Sequence, residues 1–214
     1  MYSGSALTQV DEFLKLDRRL KRAIPDKENR IVLFSSASGR EGTSTVVANL
    51  AVTMAKKVER RVLLVDANLR HPSLHNDFQG RRSPGLVDYL NEDVDLERII
   101  DPTSVDGLDL IPAGSAADSP LHLLGSPRLP EMINQLATDY DYMLFDCAHV
   151  GAYGDANVLA PLTDGVILVI QSGVARKEVV GHAKEILTTA GARILGVVLN
   201  RRRFFIPRAI YKRL

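Results

Sequence analysis

The sequence predicts a single doubly wound α/β domain built on a mostly parallel sheet. Three observations carry the prediction. Its strand-like segments are short, unbroken apolar runs rather than alternating ones, the pattern expected where helices cover both faces of a parallel sheet. These runs alternate along the chain with segments of helical period. The length, 214 residues, is long for one small domain and short for two.

Taken in order, residues 8–22 (TQVDEFLKLDRRLKR) place Val10, Phe13, Leu14, Leu16 and Leu20 near helical spacing among charges, and Pro25 should end that amphipathic helix. IVLFS (31–35) reads as the first strand, followed by a helix over about 43–57, and VLLV (62–65) as the second. Residues 71–120 are rich in Pro, Gly and Asp and hold at most short helices near 85–90 and 96–100, followed by a strand in LDLIPAG (108–114). A helix near 121–137, the strand YMLFD (142–146), the strand GVILVI (165–170), a helix over 176–190 and a last strand ILGVVLN (194–200) complete the pattern. The chain thus divides into an N-terminal helix and linker (1–29), an α/β body (30–200) and a basic, apolar tail (201–214).

Hydrophobic residues make up 45 % and charged residues 25 %, ordinary values for a folded globular chain. The net charge of +1 hides an asymmetry: residues 201–214 carry five arginines, one lysine and no acid, leaving 21 basic and 26 acidic groups in residues 1–200. An acidic body with one short basic segment is a poor footprint for nucleic acid, so none is expected as a partner. The N-terminus lacks a basic segment leading into an apolar one, and the longest apolar run, Val166 to Ile170, is too short to span a bilayer; a cytoplasmic location is the expectation. Cys147 is the single cysteine, which excludes an internal disulfide.

The chemistry concentrates in SASGREGTST (36–45), between the first strand and its helix. Backbone N–H groups at such a junction point one way and, with the helix dipole, form an anion site. Gly39 and Gly42 permit close approach and unusual backbone angles, and Ser44 stands where a hydroxyl meets Mg²⁺. The phosphate-loop pattern A/G-x-x-x-x-G-K-S/T fits from Ala37 to Ser44 except that Thr43 holds the lysine position. Two later strands end in carboxylates, Asp66 of VLLVDANLRHP and Asp146 of YMLFD. Singly, each is also what a cap or turn requires. The carboxyl ends of parallel strands lie along one edge, however, so Ser44, Asp66 and Asp146 would converge on one crevice suited to a metal-bound phosphate.

The succession GREGTST, VLLVDANLRHP, GLVDYL (85–90), LDLIPAG, LLGSPRL (123–129), YDYMLFD (140–146), GDANVL (154–159), DGVILVIQSG (164–173) and ILGVVLNR (194–201) resembles the bacterial tyrosine kinases, or BY-kinases. These P-loop NTPase-fold proteins regulate capsular and exopolysaccharide synthesis and export and belong with the MinD and ParA ATPases. The resemblance implies ATP or ADP with Mg²⁺ as ligand, held by Gly39, Arg40, Glu41, Gly42, Thr43, Ser44 and Thr45. It implies Ser44, Asp66 and Asp146 around the metal, with Asp66 also catalytic, beside the attacking hydroxyl, and Asn200 at the base. It further implies a transmembrane polysaccharide co-polymerase or chain-length regulator as partner, which would bring a cytoplasmic protein to the inner face of the membrane. Glu12, Lys15 and Arg18 stand at the spacing of the family's E-x-x-R-x-x-R oligomer helix, with lysine at the first arginine; a solvated charged face is the other reading.

The chain departs from the family pattern at four places. Thr43 removes the ammonium beside the β- and γ-phosphates, Asn68 replaces the second acid of the motif around Asp66, and the usual terminal tyrosine cluster is reduced to Tyr211 as a possible phosphoacceptor. Cys147, Ala148 and His149 replace a common Thr-Pro-Pro; Cys147 fits a small core residue, and His149 either packs, caps or reaches the nucleotide. Arg40 either faces solvent or replaces the missing cation. The tail RRRFFIPRAIYKRL either docks on a partner, lies on an anionic membrane or folds back. Three functions follow: a BY-kinase-like regulator or scaffold with weak or absent phosphotransfer, an active protein-tyrosine autokinase relying on Arg40, or a MinD- or ParA-like positioning ATPase. The last is disfavoured because the loop lacks that group's additional N-terminal lysine.

Overall fold

The computed structural model of the chain describes residues 4–92 and 94–201, and from residue 10 onward their side chains. Tyr211 and the tail beyond Arg201 lie outside the described residues.

The body is a seven-stranded sheet in the order β3-β4-β2-β5-β1-β6-β7. Its strands are β1 (Arg30–Ser36), β2 (Val62–Asp66), β3 (Asp101–Pro102), β4 (Leu108–Ile111), β5 (Tyr142–Asp146), β6 (Gly165–Gln171) and β7 (Ile194–Asn200). Every pairing is parallel except the two-residue edge strand β3 against β4. The helices are α1 (Gly4–Ala23), α2 (Thr43–Val58), α3 (Leu74–Asp77), α4 (Leu86–Leu90), α5 (Pro120–Leu124), α6 (Arg128–Leu136), α7 (Asp155–Leu159) and α8 (Lys177–Thr189).

The unbroken apolar runs are buried on both faces, which is why they do not alternate with polar residues. On one face Leu33, Leu63, Val65, Met143 and Phe145 pack with side chains of α4, α6, α7 and α8. On the other, Val32, Phe34, Leu64 and Leu144 meet Val47, Leu50 and Met54 of α2 and Leu20 of α1, with Ile24 just beyond it. Fully burying a Leu, Val or Phe side chain contributes about 1.5–3 kcal/mol, so these two layers hold the sheet and its loops as one piece.

The single helix expected over 121–137 is two helices. Gly125 N–H bonds back to the carbonyls of Leu121 and His122, and Pro127, without an N–H, cannot continue the ladder. α6 then starts afresh and buries Leu129, Met132, Ile133 and Leu136. The strand expected over 108–114 ends at Ile111, because Pro112 and Ala113 turn their carbonyls to accept the N–H groups of Leu86 and Val87, docking α4. Short helices do occur near 86–90 and 96–98, as the irregular region suggested. Among the described residues no helix is long and apolar enough to cross a membrane.

Candidate nucleotide site

Five strands and the first turn of α2 bring the site together at the carboxyl edge of the sheet. The chain leaves β1 at Ser36 and enters α2 at Thr43, passing through Arg40 at φ 66° and Gly42 at φ 87°, both in the left-handed region. A concave run of backbone amides results, of the kind that receives an anion. Glu41 turns inward, 4 % exposed, and its carboxylate accepts the Ser38 N–H at 2.9 Å and the Gln171 N–H at 3.3 Å. It braces the loop from beneath. Arg40 and Thr45 are exposed, whereas Thr43 is buried in the first turn of α2.

Asn200, at the end of β7, donates through Nδ2 to the Glu41 carbonyl at 2.9 Å and accepts the Arg201 N–H at 2.8 Å. A Cβ on Gly42 would fall 2.3 Å from that Nδ2, so only glycine lets the amide close over the loop. Arg201 Nη1 reaches Gln171 Oε1 at 3.1 Å and the Arg40 carbonyl at 3.4 Å, placing a second guanidinium at the rim.

The two strand-terminal carboxylates are neighbours: Asp66 and Asp146 pair in register across β2 and β5, and both are fully buried. Ser44 Oγ donates to Asp146 Oδ2 at 2.5 Å, and Asp66 Oδ2 accepts the Ser73 and Leu74 N–H groups at 3.0 and 3.1 Å. The remaining oxygen of each, Oδ1, is buried without a partner among the described residues. Burial pushes the Asp66 carboxyl up to about 6 against those backbone donors. Asp146 is pushed well above the usual carboxylate range, first by burial and then by Asp66 beside it. Two adjacent acids, each with an unsatisfied oxygen, fit a cation. Two carboxylates and a hydroxyl are few ligands for a closed metal cage, and they suit Mg²⁺, which keeps waters and phosphate oxygens in its shell.

Asn68 accepts the His71 N–H at 3.2 Å and shapes the turn after β2. Beyond it Arg70 forks onto Asp155 at 2.7 and 2.9 Å, a carboxylate with no exposure. The guanidinium lies 4.0 Å over the Tyr153 ring, and Tyr153 stacks on His149 with centroids 5.2 Å apart. His149 in turn lies against Gly39. Burial holds its imidazole below the ordinary histidine value. Cys147 is a buried small residue, its thiol pushed up by that burial.

The loop residues Gly39 to Thr45, Asp66, Asp146 and Asn200 thus share one edge of the sheet, while Glu12, Lys15 and Arg18 sit exposed on α1, with Lys15 paired to Glu12 at 2.8 Å. Sequence reading missed the brace made by Glu41, the rim position of Arg201, and the Arg70–Asp155 pair with Tyr153. One signal was available for the pair: an arginine four residues after a buried strand, and an aspartate opening the apolar segment GDANVL.

Residues 29–189 match the family model described as AAA domain. The tyrosine-protein kinase YwqD of Bacillus subtilis is 33 % identical over 190 residues, covering 89 % of this chain and 80 % of that one. The chain belongs to the bacterial tyrosine-kinase family. The kinase domain of the Escherichia coli tyrosine kinase ETK superposes with a TM-score of 0.87 at 28 % identity, over 92 % of this chain and 78 % of that one. A more distant likeness is the septum site-determining protein MinD of Pyrococcus horikoshii complexed with Mg-ADP, with a TM-score of 0.68 at 28 % identity over 86 % and 76 % of the two chains. The fold is accordingly that of BY-kinase domains and MinD-like P-loop NTPases, with a degenerate phosphate loop.

Proposed function

We propose that this BY-kinase-family protein binds a Mg²⁺-nucleotide and acts as a regulator or scaffold of capsule or exopolysaccharide synthesis and export, with phosphotransfer weak or absent. One observation carries the reading: the loop, the adjacent Asp66 and Asp146 and the Ser44 hydroxyl meet at one edge of the sheet, and the lysine position holds Thr43, whose side chain is neutral. Bound Mg²⁺ would offset phosphate charge and polarise the transferred group. Ser44 and Asp146 would hold it, and Asp66, anchored by two backbone donors, would sit beside the attacking hydroxyl.

Charge stabilisation in the transition state needs a fixed donor where negative charge develops. Removing one such donor costs roughly 10²–10³ in rate, and loss of a full cation facing a polyphosphate costs at least as much. Binding depends less steeply on that group, because the loop amides and the metal remain. The exposed Glu12, Lys15 and Arg18 support a contact with further copies of the chain, and a transmembrane polysaccharide co-polymerase is the partner this reading implies.

Arg40 favours a second reading, an active autokinase with Tyr211 as acceptor, since its exposed guanidinium projects from within the loop. Calorimetric titration with Mg·ATP, a turnover assay and a phosphotyrosine blot of protein from cells separate the two. Measurable binding with little turnover and no phosphotyrosine supports the regulator; turnover at the pace of lysine-bearing relatives, abolished by Arg40→Ala, overturns it.

A further inference from the structure

The loop without a lysine has an imidazole laid against it. A Cβ on Gly39 would stand 3.2 Å from both Cδ2 and Nε2 of His149, so the glycine is what makes room for the ring edge. The segment carrying His149 is firmly mounted. The Cys147 N–H donates to the Phe34 carbonyl and the Val150 N–H to the Ser36 carbonyl, each at 2.9 Å, while Ser35 Oγ donates to the Ala148 carbonyl at 2.7 Å. Tyr153 then fixes the ring plane at 14° to its own, and Arg70, held by Asp155, lies over Tyr153. The other ring nitrogen, Nδ1, is buried without a partner among the described residues. Nε2, at the Gly39 edge, is therefore the ring nitrogen that lies toward the loop.

We propose that His149 supplies the phosphate loop with the cation its lysine position lacks: a phosphate group seated in the loop draws a proton from water onto the imidazole, which then donates to a phosphate oxygen at the Gly39 edge. The proposal rests on the nucleotide reading above and adds a residue to it. The groups facing the ring set its charge. From the loop, the Glu41 carboxylate favours the imidazolium; from the turn after β2, His71 opposes it, as does burial. Tyr153 stacks as a neutral ring, with Arg70 one layer beyond and neutralised by Asp155. Burial is the largest of these influences, and in the free protein it favours the neutral ring. Two or three phosphate charges in contact reverse the balance.

The test uses the full chain and Mg·ADP. Calorimetry in two buffers of different ionisation enthalpy, at pH 6.5 and 8.5, counts protons exchanged on binding, and imidazole NMR follows His149 with and without the ligand. Any protons that Asp66 and Asp146 would release to solvent as Mg²⁺ binds are the same in wild type and His149→Gln, so the difference between the two isolates His149. The expected result is greater proton uptake by wild type, an affinity about tenfold weaker in His149→Gln at pH 6.5, as for loss of one charge-assisted hydrogen bond, and a small effect at pH 8.5. The His149 resonance should titrate at higher pH when ADP is bound. Binding with the same proton count in both proteins, or a His149 titration unmoved by ADP, overturns the proposal and leaves the nucleotide reading standing. No binding by wild type at either pH removes both. Should His149→Gln fail to fold, the wild-type resonance decides alone.

Discussion

Replacing Asp66 by asparagine separates what the carboxylate costs the fold from what it offers a ligand. Asp66 is fully buried and its carboxyl is pushed up to about 6 from 3.8. At about 1.4 kcal/mol per pH unit, that gap makes the ionised form cost the folded state about 3 kcal/mol above pH 6. The sign follows from linkage. Between the two values the folded protein binds more protons than the unfolded chain, so stability falls as pH rises through this window and stays low above it. Asparagine keeps an oxygen to accept the Ser73 and Leu74 N–H groups but never ionises. Its amide nitrogen, left where Oδ1 now has no partner, carries a penalty of about 1–3 kcal/mol that does not vary with pH. The stability of the variant relative to wild type, without ligand, should therefore rise by about 2 kcal/mol from pH 4.5 to pH 8. That corresponds to roughly 4–8 °C in Tm for a chain of this size. Urea unfolding at the two pH values measures it. A difference between variant and wild type that stays constant with pH would refute the claim that burial holds a proton on this carboxyl.

Thr43→Lys should raise affinity for Mg·ADP in calorimetry and flatten the pH dependence of Asp66, because the added ammonium favours the carboxylate; no gain in affinity would mean the crevice rejects phosphate for another reason. Gly42→Ala should destabilise by about 1–3 kcal/mol in denaturant titration, since its left-handed backbone and the nearby Asn200 amide both oppose a Cβ. Arg70→Met should cost about 3–5 kcal/mol by stranding the buried Asp155 charge, and adding Asp155→Asn should recover part of it in a double-mutant cycle.

The sheet and the two carboxylates were legible because each is written in one local run: VLLVD and YMLFD state a buried strand and the acid at its end in five consecutive letters. Parallel pairing then aligns the ends, and Asp66 and Asp146 meet in register. The loop was legible for the same reason. What could not be read joins distant residues: Asn200 to Glu41, Arg70 to Asp155 and His149 to Gly39 are contacts that no periodicity encodes. The break between α5 and α6 is a different failure, for Gly125-Ser126-Pro127 announced it and the surrounding helical pattern outweighed the signal. α7 was overlooked because five residues are too few for a period to show.

The missing lysine and the protonated acid pair are connected by one electrostatic balance. A buried carboxylate pair needs positive charge, and a resident ammonium in the crevice would supply some of it continuously. With Thr43 in that place, the described residues nearest the pair offer Ser44 and backbone N–H groups, and burial pushes both carboxyls toward the protonated form. On the nucleotide reading proposed above, Mg²⁺ would displace that proton as it binds, and its affinity would rise with pH across the range where Asp66 titrates. His149 runs the other way, gaining charge as pH falls. If both proposals hold, the metal half of the loop would strengthen with rising pH and the phosphate half with falling pH, so the ligand would bind best between the two. A lysine, charged across that whole range, would make the phosphate half indifferent to pH.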